Sequence, residues 1–239
     1  MDCYWDEDMS NLTKHEGNIP KKEIVKAILS WIVVAVPYLI GWVMTFVMGI
    51  FVAITSKKQD EHPQNEAVVS KHSPKYMVEG SSGEWEYWNS DVPFLKWWNN
   101  YEDGTLGEPS GKHSARVKGK ERSVLNQYLW TIRNPFNYAK RSIPLFYCEV
   151  NDCSIEYWGD YELSDKEEGM GGWHFCKATN IKTGKVYYWY RSVKNIGGGK
   201  VRNAAIGFKI KPSHAINPQD FDDKDKAFTV RLPVPTNID

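Results

Sequence analysis

The sequence predicts an α+β membrane protein: one N-terminal transmembrane helix, then a Trp-rich domain with a short helix and an antiparallel sheet of about four strands. Three observations lead there. Ala27 to Ile54 is a run of 28 residues without a charge. The chain carries 11 Trp and 13 Tyr, a density that implies a core filled by large rings or a surface that binds through them. From Ile155 onward the residues turn β-branched and aromatic, in short runs separated by turn signals.

Taken in order, residues 1–23 read as a polar tail, partly acidic (Asp2, Asp6, Glu7, Asp8) and unlike the basic start of a signal peptide. The anchor is residues 24–56, and its uncharged run lies between Lys21, Lys22 and Lys26 on one side and Lys57 and Lys58 on the other. About 20 apolar residues cross a bilayer core, and this run is roughly 42 Å long as a helix. Pro37 allows either a kinked single span or a hairpin that enters and leaves one leaflet. Gly41, Thr45, Gly49 and Ala53 recur every four residues on nearly one helix face, a spacing that lets two membrane helices approach closely. This predicts a homo-oligomer formed through the anchor. Lysines stand at both ends in similar number, so the positive-inside rule has little bias to act on.

Residues 57–83, with Pro63, Pro74 and a Gly/Ser cluster, read as a linker. Residues 84–212 read as a soluble α+β domain. Ser123 is placed to cap a helix that starts VLNQYLWTIR and stops before Pro135, with Leu125, Leu129 and Ile132 on one face. Strands follow in IEYWGDYEL, WHFCKATNI, KVYYWYRSV and VRNAAIGFKIKP. Lys182-Thr183-Gly184 and Gly197-Gly198-Gly199 suit hairpin links between them. In the third strand Tyr187, Trp189 and Arg191 face one way, and Tyr188 and Tyr190 the other. Residues 213–239 read as an irregular acidic and Pro-rich tail.

Composition excludes little chemistry outright but shifts the weight. Thirty basic and 30 acidic residues balance, so there is no global electrostatic case for nucleic acid. Cys3, Cys148, Cys153 and Cys176 show no paired CxxC spacing for structural zinc, though Cys148 and Cys153 can meet across a short loop. Asn11-Leu12-Thr13 fits the glycosylation pattern, which matters only in a secretory pathway. Gly107 to Ser114 falls one residue short of a phosphate loop and lacks a preceding strand. Lys112, Arg116, Lys118, Lys120 and Arg122 form a basic stretch, either solvated or in contact with phosphate. The six histidines are scattered. Asp160 and His174 can meet across neighbouring strands as a proton-transfer pair. No cofactor and no metal site is expected.

Two segments carry a resemblance. Trp97-Trp98-Asn99-Asn100-Tyr101-Glu102-Asp103-Gly104, followed by Trp130-Thr131-Ile132-Arg133-Asn134-Pro135-Phe136-Asn137, resembles an uncharacterised family of small membrane-associated proteins of tailed bacteriophages, in order and approximate spacing. That family has an acidic residue where Tyr101 stands here. The resemblance implies no activity. It implies a phage source, and hence the inner membrane of an infected bacterium. The soluble domain is expected in the cytoplasm, although the lysine flanks give little to choose between the two sides. The expected partners are the membrane and an unidentified protein. From the residues themselves, Asn100, Glu102 and Asp103 offer acceptors to Arg133 and Asn134, so these five are expected to form one polar cluster under the Trp97-Trp98 rings. The functional expectation is a membrane-anchored accessory or interaction protein. The alternatives are an envelope-acting hydrolase and a structural virion component.

Overall fold

A computed structural model describes residues 11–59, 87–99, 123–133, 135–164, 171–215 and 227–238. Its longest element is helix α1, Lys21–Thr55, 35 residues. Pro20 opens it, and the Pro20 carbonyl accepts the amides of Glu23 and Ile24 at 2.9 and 3.2 Å. Pro37 lies inside the helix and removes one amide donor, yet the helix continues through it. No hairpin turn forms there. At the far end, Thr55 and Ser56 hydroxyls donate back to the carbonyls of Phe51 and Val52 at 2.7 and 2.6 Å.

The chain divides into two compact units. One combines Met1–Val34 with Tyr147–Asp239, and the other is Ala35–Phe146.

The first unit holds a seven-stranded sheet, and the four strands expected from the sequence are its centre. They are β4 (Cys153–Gly159), β5 (Gly172–Asn180), β6 (Val186–Gly197) and β7 (Lys200–Phe208), each antiparallel to the next. The β5–β6 turn is held by Asn180, whose side-chain oxygen accepts the amides of Lys182 and Thr183 at 3.1 and 2.8 Å. The β6–β7 turn runs through Gly197, Gly198 and Gly199, all at positive φ, where a side chain would be strained. Three further strands come from segments read as tails. β1 (Leu12–His15) joins β4 in parallel, β8 (Phe228–Arg231) extends the sheet beyond β7, and β9 (Pro235–Asn237) pairs with the other end of β7. Four-residue edge strands carry too few residues for a period-2 signal, which is why the sequence reads them as coil.

One face of the sheet carries Trp158, Phe175, Tyr188 and Tyr190, packed against Ala27 and Trp31 from the start of α1. The opposite face carries Tyr157, Cys176, His174, Tyr187 and Trp189, all buried. The turn Pro212–Ala215 packs on β4 there, burying Pro212 and His214.

The second unit is built along residues 35–55 of α1. After the helix, β2 (Ser56–Gln59) pairs antiparallel with β3 (Tyr87–Ser90). A 3-10 turn, Leu95–Trp98, follows. The helix expected before Pro135 is present as α2, Val124–Arg133. It meets α1 through Tyr128 and Thr131, while Leu125 on the expected face is exposed. Phe136, at φ 56, leads into α3, Asn137–Ser142.

Candidate functional site

The feature that sets this chain apart is α1, so the site is built from the residues that hold it. In the first unit, the Glu23 carboxylate accepts the Tyr188 hydroxyl at 2.9 Å. One turn on, Ala27 is fully buried against the sheet. One turn further, the Trp31 indole donates to the Tyr188 carbonyl at 3.1 Å and meets Phe175 edge-on at 6.5 Å. Gly207, at φ +114, makes this approach possible, since a Cβ there would press on both the Tyr188 carbonyl and the Trp31 indole, 2.6 Å from its nitrogen. Neither Trp31 nor Gly207 stands out in the sequence. The available signal is a tryptophan one turn inside the apolar run rather than at its end, where membrane spans usually place it.

β1 is clipped to the same sheet. His15 stacks on Trp158 at 4.4 Å between centroids, and its Nε2 lies 2.9 Å from Glu156. Lys177 donates to the same carboxylate at 2.6 Å. Burial works against the charge on Glu156, but these two hydrogen bonds outweigh it and hold the carboxyl below its ordinary value.

In the second unit, the small residues Gly41, Thr45, Gly49 and Ala53 are all buried. Gly41 lies under the Phe136 ring, and Gly49 lies against Thr131 and Tyr128. The Gly41 carbonyl accepts both the Thr45 hydroxyl at 2.9 Å and the Trp98 indole at 3.1 Å. The Tyr128 hydroxyl donates to the Phe46 carbonyl at 3.2 Å. Tyr38 meets Phe146 edge-on at 6.3 Å. Beyond the helix end, the Thr55 and Ser90 hydroxyls lie 2.6 Å apart. Two members of the small-residue stripe, Gly41 and Gly49, are thus met by rings of their own chain.

The remaining side of residues 35–55 is bare. Val36, Leu39, Ile40, Val43, Met44, Val47, Ile50, Phe51 and Ile54 are exposed, at helical spacing and with no polar residue among them. In the first unit Ile24, Val25, Ile28, Leu29, Ile32 and Val33 are likewise exposed. Single exposed apolar residues are ordinary, but an unbroken series of this length marks an interaction surface.

Of the expected polar cluster, Asn100, Glu102, Asp103 and Asn134 lie outside the described residues, as do the side chain of Arg133 and the basic stretch 112–122. The neighbouring Asn99 is described, and it is structural. Its side chain accepts the Ser90 amide at 3.1 Å and donates to the Ser90 carbonyl at 3.0 Å, like one rung of a strand pair.

Asp160 and His174 do meet, but not as a proton-transfer pair. The Asp160 carboxylate accepts the Trp173 amide at 2.9 Å. The Trp189 indole, which can only donate, reaches His174 Nε2 at 3.1 Å. The ring proton therefore sits on Nδ1, 3.3 Å from the backbone carbonyl of Asp160. Burial, reinforced by the nearby Arg191 charge, lowers the His174 pKa to about 4. This is a neutral, fully hydrogen-bonded core histidine. Among the described residues, no three His, Cys, Asp or Glu side chains converge as a metal site would require. Cys148, Cys153 and Cys176 form no disulfide, and all three are buried.

The described part of α1 past its first residue, the aromatic second unit and the sheet as far as Val234 together coincide with one family model, which matches residues 22–234 and describes a family of unknown function, DUF7338. The chain belongs to the DUF7338 family. The matched residues thus include α1 from Lys22 and strands β2 to β8, and exclude β1 and β9. No curated protein matches the chain, and no solved structure does.

Proposed function

We propose that this DUF7338 chain is a membrane-anchored accessory or interaction protein. On this reading α1 is the anchor, and the aromatic units position it. The observation that carries the reading is the bare apolar side of α1, since its 35 residues are long and apolar enough to span a membrane and lysines stand at both ends. The two segments around Trp97–Gly104 and Trp130–Asn137 support a phage origin, with the inner membrane of the infected bacterium as the site of action and the sheet on its cytoplasmic side. Catalysis is not part of the proposal, because Asp160 and His174 are taken up by backbone groups and Trp189. The protein is assigned to work by holding a protein partner at that membrane. Carbonate-washed membranes should retain the full 27.6 kDa chain. Recovery in the soluble fraction would refute the anchor.

A further inference from the structure

The structure constrains how α1 can sit in a bilayer, and this rests on the anchor reading above. A single crossing puts the residues before α1 and those after it on opposite sides. The strand before α1, Leu12–His15, is hydrogen-bonded along its length to Cys153–Gly159, which follows α1 by about a hundred residues of sequence. Glu23, Ala27 and Trp31 dock on the same sheet. So the N-terminal end of α1 and residues 153–159 share one side. For α1 to cross, the chain would have to cross again between Ser56 and Cys153.

Nothing there can do so. A second crossing needs about 20 apolar residues, or a closed barrel. Between Asp91 and Phe146 the longest stretch without a charge is Ser123 to Ile132, ten residues. α2 has ten residues and α3 has six, about 15 and 9 Å of helix. Contacts within the second unit trace the return path. Ser90 touches Thr55 at the end of α1, Trp98 and Phe136 meet Gly41, and Phe146 meets Tyr38. At each of these described residues the chain is packed on α1, and fourteen charged residues lie between Asp91 and Phe146.

We infer that α1 does not span. It lies in the plane of one leaflet, with its bare side in the boundary between headgroups and acyl chains and both of its ends on one face of the membrane. The occupant of the bare side is lipid. The composition of that side fits, because the eleven large exposed residues from Val36 to Ile54 are all apolar, with the Trp42 indole N–H as their one polar group. The flanking charge fits as well. Lys21 and Lys22 in the first turn of the helix and Lys57 and Lys58 after its end put basic residues at both ends, and on this proposal both ends meet the same anionic headgroup layer. This also explains why the lysines give no orientation signal: the positive-inside rule ranks two sides, and both helix ends are on one. An in-plane helix ordinarily needs a polar face toward water. Here the chain's own rings cover that face.

The test uses the full-length protein in sealed membrane vesicles, with Cys3→Ser to remove the tail thiol; the other three cysteines are buried. Asn18→Cys and Lys58→Cys place one thiol before α1 and one after it. A membrane-impermeant maleimide that adds mass should reach both from the same side, and neither from the other until the vesicles are permeabilised. Labelling from opposite sides would overturn the inference and restore a span. Spin labels at Val36→Cys, Val43→Cys and Ile50→Cys give a second readout that does not depend on the ends. These positions are 55%, 59% and 47% exposed. An in-plane helix holds all three at similar depth, about 5–10 Å below the headgroups. A span centred on Ala27–Ile54 would hold Val36 and Val43 near the midplane and put Ile50 roughly 10 Å shallower than Val43, which would refute the proposal. If the washed membranes release the protein, the anchor reading itself fails, and that outcome is separate from opposite-side labelling of a retained chain.

Discussion

Gly41 and Gly49 look alike in sequence but should respond to alanine with opposite sign. In a helix, Gly→Ala gains about 1 kcal/mol from propensity alone. At Gly49 the new Cβ would sit 3.3 Å from Thr131 Cγ2 and 3.4 Å from the Tyr128 ring, which small shifts relieve. Gly49→Ala should therefore be neutral or stabilising by up to about 1 kcal/mol. At Gly41 the Cβ would fall 2.6, 2.7 and 2.8 Å from three atoms of the Phe136 ring. That ring cannot easily retreat. Its backbone is fixed at φ 56, and it packs on Trp98 and Phe146 at 5.8 and 5.6 Å. Overpacking of this kind costs about 1–3 kcal/mol, so Gly41→Ala should be destabilising by up to about 2 kcal/mol after the propensity gain. The difference corresponds to several degrees in melting midpoint, at about 2–4 °C per kcal/mol for a chain of this size. Intrinsic tryptophan fluorescence of the detergent-solubilised protein reads it. Removing the ring with Phe136→Ala should then make Gly41→Ala favourable, a coupling that identifies the partner. If both alanines shift the midpoint the same way, or Phe136→Ala leaves Gly41→Ala unfavourable, the packing of this face against its own chain is refuted. A dimer seam on the same stripe would instead show as loss of crosslinked dimer in both variants.

Two further outcomes are expected. Trp31→Phe keeps the ring against Phe175 but loses the donor to the Tyr188 carbonyl, and should cost about 1 kcal/mol in unfolding experiments; no loss would mean that α1 is not docked on the sheet through this indole. His174 gives a pH dependence with a defined sign. Its folded pKa is depressed to about 4, against about 6.5 unfolded, so between these values the unfolded chain binds the extra proton. Stability is fully present above about pH 6.5 and falls as the pH drops toward 4, by at most about 1.4 kcal/mol per unit. Unfolding midpoints measured from pH 7.5 to 4.5 should show this slope, and His174→Gln should flatten it. An unchanged slope in the variant would place the titration elsewhere.

What the sequence made legible is what depends on neighbours along the chain. The apolar run sets α1, Ser123 and Pro135 bracket α2, and alternation with glycine turns sets β4 to β7 and the facing of Tyr187 against Tyr188. What it hid depends on partners far away. Leu12–His15 has no strand signal of its own; it is a strand because β4 offers a free edge and because His15 finds Trp158 and Glu156 some 140 positions on. β8 and β9 are short for the same reason. Asp160 and His174 sit at adjacent strand ends as alternation suggests, but only the backbone path shows that the carbonyl rather than the carboxylate faces the ring.

The same distinction governs the reading of α1. Judged alone, the run from Ala27 to Ile54 has the length and apolarity of a span, and its small-residue stripe has the spacing of a helix-pairing seam. Both inferences assume that the helix is surrounded by lipid or by copies of itself. The aromatic richness of residues 87–158 is what changes the surroundings. Trp98, Tyr128 and Phe136 reach the small residues of one unit, and Trp158, Phe175 and Tyr188 receive Ala27 and Trp31 in the other. Small residues on α1 and large rings elsewhere are thus two halves of one packing arrangement. The indole and phenol groups donate to α1 carbonyls, so their polar ends are satisfied where water is scarce. Within each unit α1 is covered where these rings meet it and bare elsewhere, and on the in-plane proposal the pairing of β1 with β4 is what lets the bare residues be buried without carrying the chain across.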